Sequence, residues 1–479
     1  MYCRWYTSLK ACCVFIVIAI VMIAIECQAQ LSGSDSPPPN RCLPEAVLAD
    51  ESLKRRLDFD IGGDNSVERL LIVSSSVRRV ATWRARDHWA MADADSVFVR
   101  SSSHTILNAL KSLGMNITEE TFGHEWRLLE IAEPPTTANT AFDLLLRSEA
   151  IAHSKIPRNL LRWNYLGTGN PLYPPKTKRL LWFGARSGRL LEMQHEPVAV
   201  LDSGLPAHGC LVWSEGYDAT KPKKYSYTDP DVPWDWDGHG TFCAGIAAAR
   251  CPVQLEMLGI RGVDPLANLM PIKVLSDDGC GSESSLSRGI IWAAQNGIKV
   301  ESISLEFKDQ SLICKSICDS KQTLVVAAAG DGEDIDLHPN FPAACRLPNL
   351  LSVGGFGAGN SRIGAYGFAV DLSAPAENIT SAWPPDSIDK KSGTSAAAAA
   401  AAGVASLIRA KNPALSPASL RNLLIGTSIE NAVVGIPSGR VASCSGGGVL
   451  SPDAALGAAM FANPVLRPTP KCIRFLSCP

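Results

Sequence analysis

The chain has 479 residues, with 45 Lys and Arg against 47 Asp and Glu, so its formal net charge is -2. This balance argues against a nucleic-acid binder with a basic surface, and a charged fraction of 19% argues against a charge-rich disordered chain. Hydrophobic residues make up 46%, which is enough for a buried core, and the length suggests two or three domains. Fifteen cysteines favour an oxidising compartment.

Residues 1–29 have the pattern of a signal peptide. Arg4 and Lys10 form a short basic start, the apolar run 11–25 follows, and small residues come after it. An uncleaved membrane anchor is the alternative. Because the run is shorter than the roughly 20 residues that span a bilayer, the sequence favours cleavage and secretion.

The next part of the chain predicts a linker and a small α+β unit. Residues 30–65 are polar and Pro-rich, which is typical of a linker. The elements predicted after it are a strand at 70–73, a helix at 106–113, a strand at 126–131, a helix around 142–146 and a strand at 151–156. This order indicates the split βαβ, or ferredoxin-like, arrangement.

Residues 163–195 are rich in Gly, Pro and basic residues, as expected of an exposed boundary that proteases cut easily. Beyond it, short apolar runs alternate with helical patterns. The predicted strands are 198–201, 269–275, 298–305, 324–328 and 350–353, and the predicted helices are 239–250, 284–296, 395–410 and 417–425. The alternation predicts an α/β fold, a parallel sheet with helices on both faces. Residues 461–479 are interpreted as a tail.

Three polar residues lie where this pattern places strand ends and helix starts. Asp202 follows an apolar strand, His239 lies between two glycines at the start of a helix, and Ser395 begins an alanine-rich helix. Ligands of open α/β sheets bind at the carboxyl ends of the strands, and a helix N-terminus can hold an oxyanion. A serine needs a base to remove its proton, and a histidine oriented by a carboxylate is suited to this. The chain order Asp, His, Ser is one of the known orders of the hydrolytic triad.

The surrounding motifs resemble those of the subtilisin-like serine proteases, the subtilase family. The matching segments read VAVLDSG at 198–204, DGHGTFCAG at 237–245 and SGTS at 392–395. The resemblance covers roughly residues 163–459. It implies a secreted serine endopeptidase made as a zymogen, with an inhibitory propeptide at 66–165 and a peptidase domain at 166–460.

The resemblance also assigns roles to individual residues. It implies a triad of Asp202, His239 and Ser395, and protein or peptide substrates, with the propeptide as the chain's own inhibitor. No cofactor is expected to be required, although calcium binding is common in the family. The residues expected to bind substrate are Gly279, Cys280 and Gly281 on one edge strand, Ser304, Leu305 and Glu306 on another, and Ala328, Ala329 and Gly330 at the primary specificity pocket.

The sequence departs from the family pattern at several positions. The family normally has Asn at the position of Asp331, where it donates a hydrogen bond to the oxyanion, and an ionised carboxylate cannot donate one. We therefore predict that Asp331 acts as a neutral acid; a catalytically impaired pseudoprotease that binds peptides is the alternative. Glu306, which replaces a Gly, is interpreted as a solvated residue, the alternative being selection of basic substrate side chains. Glu301 has no explanation at this stage.

The remaining polar residues give weaker predictions. Cys243 is expected to be a buried thiol, and the sequons at Asn116 and Asn378 predict glycosylation. The acids Asp231, Asp235 and Asp237 are interpreted as an acidic loop rather than a metal site. Five cysteines would be discarded with the leader and linker, namely Cys3, Cys12, Cys13, Cys27 and Cys42. Ten would remain, all from Cys210 onward, and a free Cys243 would allow at most four bridges.

Overall fold

The computed structural model describes residues 41–59, 68–169 and 195–460, apart from short internal gaps. The gaps are 44, 75–77, 85–88, 104–105, 107, 109–116, 123–124, 132–139, 153–155, 157, 252–259, 332–339, 368, 430–432 and 434–447. The predicted signal peptide, the Asn116 sequon and the predicted tail lie outside the described residues. Among the described residues, no helix is long and apolar enough to cross a membrane.

The N-terminal unit, residues 41–169, is built mainly on an antiparallel sheet. Its strands are β1 (Lys54–Phe59), β2 (Glu68–Ser74), β3 (Arg79–Arg84), β4 (Trp89–Arg100), β5 (Ile117–Phe122), β6 (Trp126–Ile131) and β7 (Leu161–Gly169), and its helices are α1 (Glu45–Ala49) and α2 (Ala141–Ala152). Strand β4 is central, because it pairs with β3, β6 and β7. The sheet buries an apolar face against α2, whose Phe142 and Leu145 are in the core.

Two sequence predictions for this unit are wrong. Residues 151 and 152 do not begin the last strand; α2 extends to Ala152, and the last strand of the unit is β7, further along the chain. The predicted linker also contains structure, since α1 and β1 lie within 30–65 and β1 pairs with β2 along its whole length. A polar strand at the edge of a sheet lacks the alternating pattern that identifies a strand from sequence. The predicted helix at 106–113 lies largely outside the described residues.

The C-terminal domain, residues 195–460, contains the predicted parallel sheet. The sheet consists of β8 (Val198–Asp202), β9 (Glu215–Asp218), β10 (Lys223–Ser226), β11 (Leu269–Lys273), β13 (Val300–Ile303), β15 (Leu324–Ala328), β16 (Leu350–Phe356), β17 (Arg362–Ile363) and β18 (Leu372–Pro375). Its order is β10-β9-β11-β8-β13-β15-β16-β17, with β18 also beside β16. Outside it lie the short strands β12 (Cys280–Ser282), β14 (Leu305–Glu306), β19 (Ile379–Trp383) and β20 (Ser387–Lys391).

Helices cover both faces of this sheet. They are α3 (His239–Ala248), α4 (Glu283–Gln295), α5 (Ile313–Asp319), α6 (Thr394–Lys411), α7 (Pro417–Thr427) and α8 (Pro452–Ala458). One core lies between the sheet and α3, α6 and α7, and a second lies between the sheet and α4 and α5. Because strands β8 and β15 are buried on both faces, they are continuously apolar apart from Asp202 at the end of β8, as the sequence pattern predicted. The predicted α/β fold class is therefore confirmed.

The disulfides differ from the predicted assignment of the cysteines. Cys42 is bonded to Cys280, which joins the N-terminal segment to the C-terminal domain across 238 residues. Within the C-terminal domain Cys210 bonds Cys251 and Cys314 bonds Cys345, while Cys243 is free and buried as predicted. The prediction that Cys42 would be discarded with the linker is wrong, because it assumed that bonds form only within one domain.

Glu301 occupies an apolar position of the central sheet. It lies on β13 opposite Ala199 and Val325, both of which belong to the second core. Its side chain is fully buried, and neither carboxyl oxygen has a hydrogen-bond partner among the described residues. Burial without a partner raises the pKa of Glu301 well above its usual value, so the folded state holds the neutral acid.

We expect Glu301 to make stability depend on pH. Above about pH 5 the unfolded chain releases this proton while the folded chain retains it, so the free energy of unfolding falls by up to about 1.4 kcal/mol per pH unit until the folded pKa is reached. Denaturant unfolding of Glu301→Gln should lack this part of the slope. The control is Glu215→Gln, which changes an exposed acid on β9. Identical slopes for wild type and Glu301→Gln would show that the buried acid is not neutral.

Candidate active site

The three residues that the sequence singles out meet at one edge of the parallel sheet. Asp202 is the last residue of β8, and its Oδ1 lies 2.7 Å from Nδ1 of His239. On the other side of the ring, Nε2 lies 3.1 Å from Oγ of Ser395. All three side chains are buried. This chain of hydrogen bonds has the geometry of a nucleophile, a base and a residue that orients the base.

Two glycines allow His239 to take this position. Gly238 has φ +89°, a left-handed conformation that favours glycine, and a Cβ there would lie 2.7 Å from the Trp383 ring. At Gly240, a Cβ would lie 3.0 Å from Cβ of Asp202. The glycines therefore let the first turn of α3 approach the end of β8, which brings the imidazole within reach of the carboxylate.

Ser395 lies in the first turn of α6, and the fold fixes the backbone around it. Backbone N–H groups in a first turn have no intrahelical acceptor and favour negative charge. The Ser304 hydroxyl donates to the Ser395 carbonyl at 3.1 Å, which links this turn to the segment between β13 and β14. The apolar alanines of α6 are buried in the first core, so the helix is held on its whole inner surface.

The electrostatics of the site favour a charged imidazolium. Burial alone would lower the pKa of His239, but the attraction of the Asp202 carboxylate outweighs it, and the pKa is raised well above its usual value. The Cys243 thiol lies one turn further along α3, with Sγ 3.9 Å from Nδ1 of His239. Burial raises the pKa of Cys243, so this sulfur remains a neutral thiol beside the pair.

A strand of the N-terminal unit occupies the groove beside the triad. The end of β7 lies between β12 and β14, where Thr168 pairs with Cys280 on one side and with Glu306 on the other. Gly169 ends the strand, and a Cβ there would lie 3.4 Å from the ring of His239. The two short strands thus hold an extended segment by its main chain, which is how a strand edge binds peptides of varied sequence.

The comparisons with known proteins agree with this geometry. Residues 195–455 match the sequence model of Peptidase S8, the subtilase family. Subtilisin BL from Lederbergia lenta is 34% identical over 236 residues, which is 48% of this chain and 82% of the relative.

The chain belongs to the subtilase family.

Other relatives agree with this membership. M-protease from Shouchella clausii (strain KSM-K16) is 35% identical over 236 residues, and the match covers 48% of this subtilase and 58% of M-protease. Among solved structures, fervidolysin from Fervidobacterium pennivorans, described as a keratinolytic enzyme related to subtilisin, has a TM-score of 0.62 at 20% identity. That match covers 79% of this subtilase and 63% of fervidolysin, and it shows a shared fold. At the level of the family, the prediction of a subtilisin-type serine endopeptidase is confirmed.

Asp331 distinguishes this subtilase from the pattern expected of the family. Its Oδ1 accepts a hydrogen bond of 2.8 Å from the backbone N–H of Thr394, and its Oδ2 is buried with no partner among the described residues. Burial raises the pKa of Asp331 to about 7, against the opposing effect of the Thr394 hydrogen bond. A proton on Oδ2 would leave Oδ1 free to accept the Thr394 bond, so the neutral acid fits the hydrogen bonding at this position.

The other predicted substrate-binding residues lie around the same groove. Gly279 directly precedes β12, and Gly281 pairs with Gly167 of β7. Leu305 pairs with Gly169. The pocket residues Ala328, Ala329 and Gly330 are at the end of β15, where the Gly330 N–H donates to Thr394 Oγ1 at 3.2 Å.

Glu306 is not the solvated residue that the sequence suggested. Its side chain is partly buried, and Oε2 accepts a hydrogen bond of 2.9 Å from Nδ2 of Asn340. Burial raises the pKa of Glu306, against the effect of the Asn340 bond. The Asn340 bond links β14 to the segment that precedes Phe341, a contact between distant parts of the chain that the sequence pattern does not show.

The acids before His239 bind protein groups and do not converge on one point. Asp235 is buried and accepts from the Ser203 hydroxyl and from N–H and hydroxyl groups of the first turn of α3. Asp231 pairs with Lys223, and Asp237 pairs with Arg41. Calcium, which the family resemblance suggests, does not fit this set, because each carboxylate already has a separate partner.

The predicted glycosylation at Asn378 does not fit the folded domain. The residue is 1% exposed, its backbone N–H donates to the Ser392 hydroxyl, and its φ is +58° in a tight turn beside the serine motif. An oligosaccharide on this side chain would have no space. Sequence reasoning selects the triplet but does not see the burial.

Sequence reasoning missed the residues that the N-terminal segment contributes to the groove. Arg41 contacts Asp237 and Cys42 is bonded to Cys280, yet both were assigned to a linker. The number of cysteines could have indicated that Cys42 is paired. Fifteen cysteines, less four in the leader and the free Cys243, leave an even ten that includes Cys42.

Proposed function

We propose that this subtilase is a secreted serine endopeptidase made as a zymogen, whose N-terminal unit occupies the substrate groove until it is removed. The observation that carries the proposal is the seating of β7 between β12 and β14, with Gly169 against His239. An extended substrate would take the same place and pair with the same strands. The disulfides support an oxidising, extracellular environment.

The triad supports an acyl-enzyme mechanism. His239 removes the proton from Ser395 Oγ as that oxygen attacks the peptide carbonyl, and then gives the proton to the leaving amine. Asp202 fixes the tautomer through Nδ1 and stabilises the imidazolium. Water then attacks the acyl-enzyme in the same way, with His239 again as the base, and releases the second product. These steps use the protein's own side chains, and the proposal includes no required cofactor.

We propose that Asp331 donates a hydrogen bond to the oxyanion from a protonated Oδ2. The neutral acid is favoured by burial, and Oδ2 has no partner among the described residues. Catalysis then makes opposing demands, because His239 must be neutral to act as a base while Asp331 must keep its proton. With both pKa values raised, the two requirements overlap only over a narrow pH range.

A peptide-binding pseudoprotease is the second candidate, favoured by the acid at position 331. The distances within the triad argue against it, since Ser395, His239 and Asp202 are within hydrogen-bond reach.

We expect a fluorophosphonate probe to label the matured protein at Ser395. The probe forms a covalent bond only with an activated serine, so labelling separates an enzyme from a pseudoprotease. Ser395→Ala is the negative control, and Ser406→Ala, which changes a buried serine elsewhere on α6, is the matched control. An unlabelled wild type, with the N-terminal unit shown by mass spectrometry to be absent, would refute the enzyme proposal.

The Cys42–Cys280 bond predicts that one cut does not release the N-terminal unit. After cleavage in the 163–195 segment, the two fragments should run together on a non-reducing gel and separately on a reducing gel. A tethered inhibitor also rebinds at an effective concentration of the order of millimolar, so the cleaved, oxidised protein should stay largely inactive.

The test compares Cys42→Ser with Cys210→Ser in the cleaved protein. Cys42→Ser should separate the fragments without reductant and raise peptidase activity at least about tenfold. Cys210→Ser breaks a bond within the C-terminal domain and should leave the fragments linked. Fragments of the wild type that separate without reductant would contradict the tether.

We expect Asp331→Asn to change the pH–rate profile. Wild-type activity should fall as pH rises through about 7, since Asp331 then becomes a carboxylate, which can only accept hydrogen bonds. An amide donates at any pH, so the variant should keep its activity at pH 9 and exceed the wild type there by about 100-fold, the value of one such donor. Asp231→Asn, which changes an exposed acid, is the control. Superimposable profiles for Asp331→Asn and wild type would rule out the neutral-acid role.

A further inference from the structure

The groove has an acidic residue at the place where the substrate-like strand ends. Asp237 lies two residues before His239. The backbone N–H of His239 donates a hydrogen bond of 3.3 Å to Oδ1 of Asp237. The other oxygen, Oδ2, lies 3.0 Å from where a Cβ on Gly279 would be. Cys280 pairs with Thr168 in an antiparallel register, so Gly279 is the residue across from Gly169. The carboxylate therefore borders the space beside Gly169.

The last residue of the bound strand leaves this space open. Gly169 has no side chain, and a Cβ added there would touch the His239 ring at Cγ and Nδ1, both at 3.4 Å. A larger residue at this place would extend its side chain between the imidazole and the strand that begins at Cys280. The Asp237 carboxylate lies beside the space that such a side chain would enter, and the Asp237 side chain is only 12% exposed.

An arginine from another part of the chain fills the space instead. The Arg41 guanidinium bonds Asp237 Oδ2 and covers Gly279, where a Cβ would lie 2.2 Å from its Nη1. Arg41 does not belong to β7; the neighbouring Cys42, through its bond to Cys280, holds it at the groove. The guanidinium thus reaches Asp237 by a route that a substrate side chain would not use.

A second arginine of the N-terminal unit repeats this pairing nearby. Arg78 bonds Asp278 at 2.6 Å, on the loop just before β12. The N-terminal unit therefore covers two carboxylates at this rim of the groove with two cations. Removing the unit would expose two negatively charged carboxylates with no cation opposite them.

We propose that Asp237 is a specificity-determining residue, which binds a Lys or Arg side chain on the substrate residue that takes the place of Gly169. The proposal rests on the proposed endopeptidase function and names the substrate class. Arg41 mimics that side chain in the zymogen. A carboxylate gains more from a cation than from an uncharged partner, because hydrogen bonds between charged groups are the stronger ones.

The geometry also fixes which substrate residue this is. Gly169 lies against Cγ and Nδ1 of His239, whereas Nε2 faces Ser395 Oγ. The carbonyl that Ser395 attacks therefore belongs to the following residue, and the basic side chain is the second residue before the cleaved bond.

The test uses the matured protein and four quenched-fluorescent peptides that differ only at this second residue, which is Arg, Lys, Gln or Glu. Mass spectrometry of the products confirms the bond that is cut. We expect kcat/KM to be about 10- to 100-fold higher for Arg and Lys than for Gln, the range of a hydrogen bond between charged groups, and lowest for Glu.

Three variants locate the effect. Asp237→Asn should lower the ratio of kcat/KM for the Arg peptide over the Gln peptide to about one. Asp231→Asn, an acid paired with Lys223 outside the groove, should leave the preference unchanged. Arg41 stays beside Asp237 only in the cleaved, oxidised protein that keeps the Cys42–Cys280 bond. In the residual activity of that form, Arg41→Ala should raise the preference for Arg at least about twofold over the same form of the wild type; failure to raise it overturns the role given to Arg41.

The outcomes separate the two proposals. Equal cleavage of the Arg and Gln peptides by wild type overturns the specificity proposal and leaves the peptidase intact. A preference for Arg that survives in Asp237→Asn overturns the assignment to Asp237. A matured protein that cleaves none of the peptides and takes no probe overturns the proposed function itself, and the specificity proposal with it.

Discussion

Main-chain pairing of β7 with β12 and β14 is the interaction on which the other features of the groove depend. Two short strands with unpaired edges need a partner, and β7 supplies it while remaining part of the N-terminal sheet through β4. This single strand places Gly169 at His239 and brings the N-terminal unit to the triad. The same backbone groups would receive a substrate, so occupancy by β7 and by a substrate exclude each other.

The covalent bond beside this pairing changes what cleavage can achieve. A subtilase propeptide held only by contacts can dissociate once it is cut, whereas the Cys42–Cys280 bond would keep the N-terminal unit of this chain at the groove. The bond also holds Arg41 against Asp237. Attachment of the N-terminal unit and the charge of the groove are therefore coupled through Cys280 on β12, the strand that pairs with β7.

Buried acids set the chemical character of the domain. Asp331 at the groove is partly buried, with Oδ2 enclosed, and Glu301 in the sheet is fully buried; burial raises both pKa values. They differ in surroundings: Asp331 keeps a hydrogen bond from Thr394 beside the reacting serine, whereas Glu301 faces apolar side chains. At Asp331 a neutral acid could donate a hydrogen bond. At Glu301 it only lowers the stability of the folded domain, because no described group compensates for its burial.

The family, the α/β fold and the candidate residues Asp202, His239 and Ser395 could be predicted from the sequence. They depend on local patterns: apolar strands that end in a polar residue, and glycines and small residues around a reactive side chain. The folded chain was needed to see that Asn378 is buried, that Glu306 pairs with Asn340, and that Arg41 and Cys42 belong to the groove. Each of these depends on residues far apart in the chain. A linear pattern carries no information about which distant segment covers a given side chain, and that covering decides burial, charge pairing and attachment.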